Sequence, residues 1–222
     1  MRTSYLLVSV LLLAIGLSTI SCVQESAGSI RFDVPYFQFD TSDFDKLLQV
    51  YEIEEEFITY QNQSNQVIRF KIRSSTLGRE GKVTGGSFFG TSGGSLVYFF
   101  DAQRIHLELT EWPDDYERTE FLIQKTIEDT LKGTIYFPLW NDNTGSSSAL
   151  PNTIFLNFNK APIIITLNNV TYNQVYEIVS QNDQSLGSLG PYERNINILY
   201  YDIQEGIVGF SDLDGGQWRL VN

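Results

Sequence analysis

Apolar and polar residues alternate with a period of two along much of the chain, which is typical of strands that bury one face. In the clearest run, Ile68, Phe70 and Ile72 lie on one face and Arg69 and Lys71 on the other. We expect this basic face to pair with the glutamates of the strand before it. The pattern predicts strands at 31–39, 50–60, 66–73, 95–101, 103–112, 119–127, 131–139, 163–167, 170–180, 195–202, 206–211 and 217–221.

Three of these segments depart from a simple strand pattern. Pro35 in the first strand favours an edge position or a break. The apolar parity changes within 50–60, which predicts a β-bulge. The segment 119–127 has helical spacing in part, but its β-branched residues favour a strand.

One short helix is predicted before the second strand, with a loop as the alternative. Phe44, Leu47 and Leu48 follow the i, i+3, i+4 spacing of an apolar helix face. Ser42 and Asp45 have the spacing of a capping pair, which would place the start of the helix at this point.

Turn signals separate the predicted strands. Asn168 and Asn169 tolerate positive φ and predict a tight hairpin. The glycine-rich stretch 78–94 predicts turns and a flexible loop. Together these patterns predict an all-β body, mainly antiparallel, with at most one short helix. A sandwich and a strongly curved sheet both fit.

The first 21 residues have the three regions of a secretory signal peptide. Arg2 is the basic residue, the run 5–17 is almost wholly apolar, and small polar residues follow. The apolar run is shorter than the roughly 20 residues that a transmembrane helix needs. We therefore expect export of the chain and removal of 1–21.

Cys22 is the single cysteine and stands at the predicted cleavage site. The segment Thr19-Ile20-Ser21-Cys22 resembles the lipobox of bacterial type II signal peptides, although leucine is commonest at the position of Thr19. The resemblance implies that the Cys22 sulfur carries a diacylglyceryl group. The mature chain would then be a lipoprotein acylated with fatty acids such as palmitate. Ordinary secretion with cleavage after Ser21 is the alternative.

The C-terminal part resembles the endings of uncharacterised lipoproteins of Bacteroidota. The matching segments are 169–176 and 200–210, with Trp218 after them. The resemblance implies closing strands of an antiparallel sheet and brings no catalytic residues. We expect a signal peptide at 1–21, a lipidated tether at 22–30 and one β-rich domain at 31–222, with a candidate internal boundary in the loop 141–152. The expected location is the outer membrane, with the body facing the periplasm or the cell surface.

Composition limits the partners of the mature chain. Hydrophobic residues make up 42% of the sequence, which suffices for a core without intrachain disulfides. Without Arg2 the chain has 14 basic and 27 acidic residues, so its net charge is −13 with His106 neutral. Such a charge repels nucleic acid, and no nucleic-acid partner is expected.

No motif specifies a reaction. Gly90-Thr91-Ser92-Gly93-Gly94 matches the G-x-S-x-G nucleophile pattern in letters, but a strand and not a helix is predicted to follow. We interpret it as a glycine-rich loop. His106 is the single histidine, so a metal site made of histidines is excluded, and we expect a surface or hydrogen-bonded residue.

Several weaker patterns have structural explanations. The segments 212–215 and 141–145 partly match calcium-loop spacing but lack the closing glutamate, so turn chemistry explains them better. Trp112, Trp140 and Trp218 could form a sugar-stacking platform, but core packing is the commoner role. We expect no metal and no cofactor.

Three classes of function fit the sequence. The first is a non-catalytic envelope lipoprotein that binds a partner protein or a carbohydrate and is held to the membrane by its lipid. The second is a carrier of an apolar ligand, which predicts a deep apolar pocket. The third is a carboxylate-dependent hydrolase, which predicts two facing acids in a cleft. We take the first as the prediction, without enzymatic activity.

Overall fold

A computed structural model describes residues 34–51, 53–84, 95–110, 118–142 and 152–221. Within these ranges the chain has fourteen strands and one helix, α1, of four residues. The strands are β1 (Tyr36–Phe37), β2 (Phe57–Gln61), β3 (Val67–Thr84), β4 (Ser95–Leu109), β5 (Thr119–Lys125), β6 (Leu131–Tyr136), β7 (Thr153–Leu156), β8 (Ile163–Leu167), β9 (Val170–Val179), β10 (Ser188–Leu189), β11 (Tyr192–Glu193), β12 (Ile196–Asp202), β13 (Gly206–Asp212) and β14 (Gln217–Leu220); α1 is Thr41–Phe44.

Twelve of the strands form one sheet, and the all-β prediction is confirmed. Its order is β7-β6-β5-β4-β3-β2-β14-β13-β12-β9-β8, with antiparallel neighbours, and β1 adds in parallel beside β4. β10 and β11 form a separate two-stranded ribbon. Strands on both sides of the loop 141–152 belong to this same sheet.

The sheet curls into a half-barrel, which settles the choice between the two predicted architectures in favour of the strongly curved sheet. Its two ends, β7 and β8, are joined only by residues 157–162. Phe158 from this connection packs edge-on against Tyr176 of β9. Gly133 of β6 makes room for it, because a Cβ there would lie 2.8 Å from the Phe158 ring.

Residues 137–141, which follow β6, fill the concave side of the sheet, and we call them the crossing segment. Phe137 and Trp140 are almost completely buried. Trp140 forms an isolated parallel bridge with Ile196, and the Asn141 N–H donates to the Ile196 carbonyl over 2.8 Å. Tyr201 from β12 is fully buried in the same core cluster, so the interior of the half-barrel is occupied by side chains.

The helix is present, but its predicted cap is wrong. Asp40 is the N-cap residue: it accepts from the backbone N–H groups of Ser42 and Asp43, while Asp43 accepts from the Asp40 N–H. Asp40 caps the helix in place of Ser42 because it directly precedes the first helical residue. From there its side chain reaches the free N–H groups of Ser42 and Asp43 in the first turn. Leu47 and Leu48 are buried although they follow the helix.

Several predicted segments differ in the structure, and the register of β2 against β3 shows no β-bulge of the kind predicted within 50–60. The strand expected at 50–60 begins only at Phe57, because Ile53 to Glu56 form a turn in which Glu55 has φ 71°. The strands expected at 95–101 and 103–112 are one continuous strand, β4. Part of the predicted glycine-rich turn region, 78–84, is strand as well, since β4 supplies hydrogen-bond partners for it. The segment 119–125 is a strand, as predicted.

Candidate functional site

Several residues singled out from the sequence lie outside the described ranges. These include the signal peptide, Cys22 and the tether to residue 30, together with Gly90 to Gly94, Trp112 and 143–145. Their predicted roles stay predictions.

His106 lies on the outer face of the sheet, in β4. Its Nδ1 is 3.0 Å from the Ser74 hydroxyl, and its Nε2 is 3.5 Å from a Glu120 oxygen. Arg104, two residues away, pairs with both Glu80 and Glu120. His106 is therefore a member of a cross-strand polar row, which confirms the expectation of a hydrogen-bonded residue.

The basic residues of β3 pair with a glutamate of the preceding segment, as predicted, but this pairing is not between two strands. Lys71 and Arg73 both pair with Glu55, which stands in the turn before β2 and not in a strand. Arg73 also pairs with Glu108 of β4. The side chains of these ion pairs are exposed to solvent to different degrees. Each pair therefore contributes little to the free energy of unfolding.

The segment 212–215 is a hairpin turn, as the sequence suggested. Asp212 Oδ1 accepts from the backbone N–H groups of Asp214 and Gly216, over 3.1 Å and 2.6 Å. Its Oδ2 accepts from the Trp218 indole N–H over 2.9 Å. Three donors thus occupy the carboxylate, which explains aspartate here by turn chemistry. Among the described residues, no group of three or more His, Cys, Asp or Glu is placed to hold a metal.

A cleft of about 430 Å³ opens beside this turn, and we call it the turn cleft. The start of β3, the crossing segment, residues 191–196 and the β13–β14 turn surround it. Its lining residues are Gln66, Val67, Ile68, Leu139, Pro191, Tyr192, Glu193, Asn195, Ile196, Asp212, Asp214 and Trp218.

The floor of the turn cleft is apolar. Ile68, Leu139 and Ile196 are almost fully buried and belong to the main core. Trp218 is also largely buried, and its ring stacks on Phe210 at 5.9 Å with an interplanar angle of 23°. The floor is therefore fixed by the core, so the cleft does not need to rearrange to present it.

The rim of the turn cleft is polar and acidic. Glu193, Asp214 and Gln66 are exposed, whereas Asn195 is buried and donates to Asp214 Oδ2 over 2.6 Å. The lining includes three carboxylates, those of Glu193, Asp212 and Asp214, and no lysine or arginine. The rim therefore repels anions and offers acceptors to hydroxyl and amine donors.

Gln63 ties together two of the turns that frame the cleft. Its Nε2 donates to the Gly215 carbonyl over 2.8 Å, and its Oε1 accepts from the Gln217 N–H over 2.7 Å. These two bonds join the β2–β3 turn to the β13–β14 turn across 152 and 154 residues of sequence. Nothing in the local sequence distinguishes Gln63 from other polar turn residues. Its role follows only from its bonds to Gly215 and Gln217.

A buried lysine forms the second charged cluster. Lys125 Nζ lies 2.6 Å from Asp43, 3.0 Å from Asp40 and 3.3 Å from Asp129, with 2% of its side chain exposed. Burial alone would lower the pKa of Lys125, but the hydrogen bonds to the three aspartates outweigh it and raise the pKa. The side chain stays charged and joins α1 to β5, so its role is structural and not nucleophilic.

Buried tyrosines form a polar contact inside the core. The Tyr60 hydroxyl donates to the Ile207 carbonyl over 2.8 Å, and the Tyr51 hydroxyl accepts from the Ile207 N–H over 3.2 Å. Burial raises the pKa of both hydroxyls. Gly206 has φ 74° and leaves the space that the Tyr51 hydroxyl fills. These groups organise the start of β13.

Comparisons with known proteins give no relative for this chain. It matches no protein-family model, no curated protein and no solved structure. In the described part of the chain, no helix combines the length and the apolarity required to cross a membrane.

Proposed function

We propose that the chain is an exported, lipid-anchored protein of the bacterial cell envelope whose β domain binds a carbohydrate in the turn cleft, without catalysis. One observation carries the binding part: the cleft joins a fixed apolar floor to a rim of carboxylates and amides. A sugar ring needs both, because it presents C–H groups on its faces and hydroxyls on its edge.

The charge of the rim narrows the ligand class. With three carboxylates and no basic residue in its lining, the cleft disfavours phosphorylated, sulfated or uronic sugars. Neutral polysaccharides and glycans with amino groups fit it best. Two rim residues, Glu193 and Gln66, are exposed. Gln66 Oε1 already accepts from the Asn62 side-chain amide over 2.6 Å, so Glu193 carries the direct contact with the ligand.

The other two classes of function have less support. An apolar carrier needs an empty interior, but Phe137, Trp140 and Tyr201 fill the concave side of the sheet. A carboxylate-dependent hydrolase needs two facing acids, but Asp212 is engaged by three donors and Asp214 by Asn195, which leaves Glu193 without a second acid in the cleft lining. The proposal therefore assigns binding to the cleft and no bond-breaking step.

Affinity electrophoresis in gels containing neutral polysaccharides tests the binding. We expect the protein to be retarded by at least one polysaccharide, and Glu193→Ala to weaken retardation about tenfold, the loss expected for one or two hydrogen bonds to a charged acceptor. Glu128→Ala is the matched control, since Glu128 is an exposed glutamate in the β5–β6 turn, away from the cleft lining. Equal retardation of both variants, or none for the wild type, contradicts the proposal.

A basic segment of a partner protein is the second candidate ligand, because three carboxylates without a counter-charge attract cations. Salt separates the two. Retardation by a neutral sugar changes little between low and high ionic strength, whereas binding of a lysine-rich peptide falls steeply as salt screens the rim.

The anchor is tested separately from the cleft. We expect the chain to incorporate an alkyne analogue of palmitate in a bacterial host and to sediment with membranes. Cys22→Ser should abolish both results, and Ser21→Ala, which keeps a small residue before the cysteine, should retain them. Label in the Cys22→Ser variant, or release of the unsubstituted protein into the medium, would disprove lipid attachment.

A further inference from the structure

The hairpin β3–β4 extends well past the strands that flank it. β2 pairs with β3 only as far as Lys71, and β5 pairs with β4 only from Ala102 to Leu107. Beyond these points, residues 79–84 of β3 pair with residues 95–101 of β4, and Leu77 and Gly78 just before them pair with Gln103 and Ala102. Tyr36 and Phe37 of β1 cover part of the outer edge of β4. We call residues 77–84 and 95–101, together with Tyr36 of β1 beside them, the arm.

One face of the arm is apolar and exposed. Leu77 and Val83 are 56% and 55% exposed, and they lie on the same side of β3 as Arg79. The Arg79 guanidinium lies over the rings of Phe99 and Tyr36, at 3.5 Å and 4.7 Å from their centroids. This face therefore combines aliphatic side chains, two aromatic rings and one cation.

The acid on this face is already paired. Asp101 accepts from the Tyr36 hydroxyl over 2.5 Å and from the Phe39 N–H over 2.9 Å. In the arm and β1 together, Arg79 and Lys82 balance Glu80 and Asp101, so the arm is electrically neutral, whereas the whole chain has a net charge of −12. Long-range repulsion from anionic lipid is therefore weaker at the arm than the net charge of the whole chain implies.

The described part of the chain begins beside the arm. Tyr36 of β1 pairs with Phe99 of the arm, and it follows Cys22 by 14 residues. Such a stretch spans at most about 50 Å when fully extended. A lipid on Cys22 would thus hold the membrane within reach of the arm, since the chain meets the domain there.

We propose that the exposed face of the arm, formed by Leu77, Arg79, Val83, Phe99 and Tyr36, docks on the surface of the lipid bilayer to which the chain is anchored. The inference rests on the lipid-anchor part of the proposed function. Tyrosine and arginine at the edge of an aliphatic patch match the headgroup region, where aromatic rings and cations meet phosphate and glycerol. The docked arm orients the domain on the membrane, which an anchor alone does not.

Site-specific fluorescence in vesicles tests the docking. The full chain is produced with its lipid and reconstituted in phosphatidylcholine–phosphatidylglycerol vesicles that contain brominated lipid. A thiol-reactive, polarity-sensitive dye is placed at Leu77→Cys and, in a second protein, at Val83→Cys. The control is Ile164→Cys on the edge strand β8, an aliphatic residue that is 70% exposed.

We expect blue-shifted emission and at least about twofold stronger quenching by brominated lipid at both arm positions than at the control, as for side chains at the acyl boundary. Adding Arg79→Glu to the Leu77→Cys protein should reduce this quenching. Equal quenching at Leu77→Cys and Ile164→Cys overturns the inference. A blue shift that needs high protein concentration and no lipid also overturns it, in favour of a second copy on the face.

The unsubstituted chain keeps the two proposals distinguishable. Its single thiol is Cys22, which cannot react with the dye if it is lipidated. Labelling of the unsubstituted chain would disprove the anchor and the docking together. Absence of labelling with equal quenching at all three positions would disprove the docking alone.

Discussion

The base and the arm of the hairpin β3–β4 belong to the same two strands but are stabilised differently. At the base, Ile72, Ile105 and Leu107 are at most 1% exposed and contact the main core. In the arm, Leu77 and Val83 are more than half exposed, although their backbones are equally well paired. Hydrogen-bond pairing alone therefore produces strand geometry, whereas burial provides most of the stability.

The comparison extends to the charged groups. The body contains a buried lysine between three aspartates, whereas the ion pair that reaches into the arm, Arg104 with Glu80, has about a third of each side chain exposed. Charges taken out of water depend on their partners, and exposed charges do not. The same residue types thus have a structural role in one region and a minor one in the other.

The largest expected effect comes from the buried lysine. Lys125→Met leaves the Asp43 carboxylate, which is 5% exposed, without its cation, and should destabilise the protein by about 3–5 kcal/mol. Glu80→Gln in the arm should cost under about 1 kcal/mol. Urea unfolding followed by tryptophan fluorescence measures both. A Lys125→Met protein as stable as the wild type would show that Asp43 does not depend on the lysine as a buried carboxylate should.

A matched pair of apolar truncations compares packing directly. Ile105→Ala at the base removes core atoms and should cost about 2–5 kcal/mol. Leu77→Ala in the arm should change the free energy of unfolding by less than about 0.5 kcal/mol, because solvent already contacts most of the side chain. Similar losses for the two variants would contradict the distinction between base and arm.

The sequence pattern predicts most strands of the body and the β4 segment of the arm, 95–101, but not the β3 segment, 78–84, for a physical reason. Alternation such as Ile68-Arg69-Phe70 predicts a strand, because a buried face imposes a period of two. No residue from Leu77 to Val83 of β3 is buried, so Gly78 and Gly81 look like turn residues in the sequence, and their pairing with Ala102 and Phe99 places them in an extended strand.

The turn cleft could not be predicted from the sequence. Gln66, Leu139, Asn195 and Asp214 come from four distant parts of the chain, and the order of the strands alone brings them together. Local motifs are easier to interpret than contacts between distant segments. The residues of 212–215 predict a turn, and the structure has a turn there. Phe158 and Gly133 fit each other beside the β6–β7 pair, but neither has a local signal for that contact.

Alkaline titration distinguishes tyrosines of the two regions. Burial raises the pKa of Tyr60 and Tyr201, whereas in the arm the hydrogen bond to Asp101 is the main cause that raises the pKa of Tyr36. A raised pKa contributes stability that is complete below the ordinary value of about 10 and is lost as the pH rises through the folded-state value. We therefore expect the urea midpoint to fall above about pH 10.

Tyrosinate absorbance after a jump to high pH provides the measurement. Tyr36 should ionise without unfolding, since it is partly exposed, and the buried hydroxyls only as the protein unfolds. Tyr36→Phe should reduce the amplitude of the fast absorbance change, which precedes unfolding. Tyr60→Phe should reduce the amplitude of the slow change, which accompanies unfolding. The assignment fails if Tyr60→Phe removes fast amplitude.

The smallest expected effect concerns the arm itself. Arg79 covers the rings of Phe99 and Tyr36, and an exposed cation–π contact contributes about 0.5–1 kcal/mol. Arg79→Ala should therefore leave the global unfolding of the body nearly unchanged, because the arm contributes little to it. It should instead speed hydrogen exchange at amides that face across the arm, such as those of the Glu80–Phe100 pair, by about threefold, while amides of Ile105 and Leu107 at the base keep their rates. Lys132→Ala, which removes a longer contact to the Phe155 ring in β7, controls for the loss of a cation elsewhere. If exchange accelerates equally at base and arm, the hairpin opens as one unit, and the arm has no independent stability.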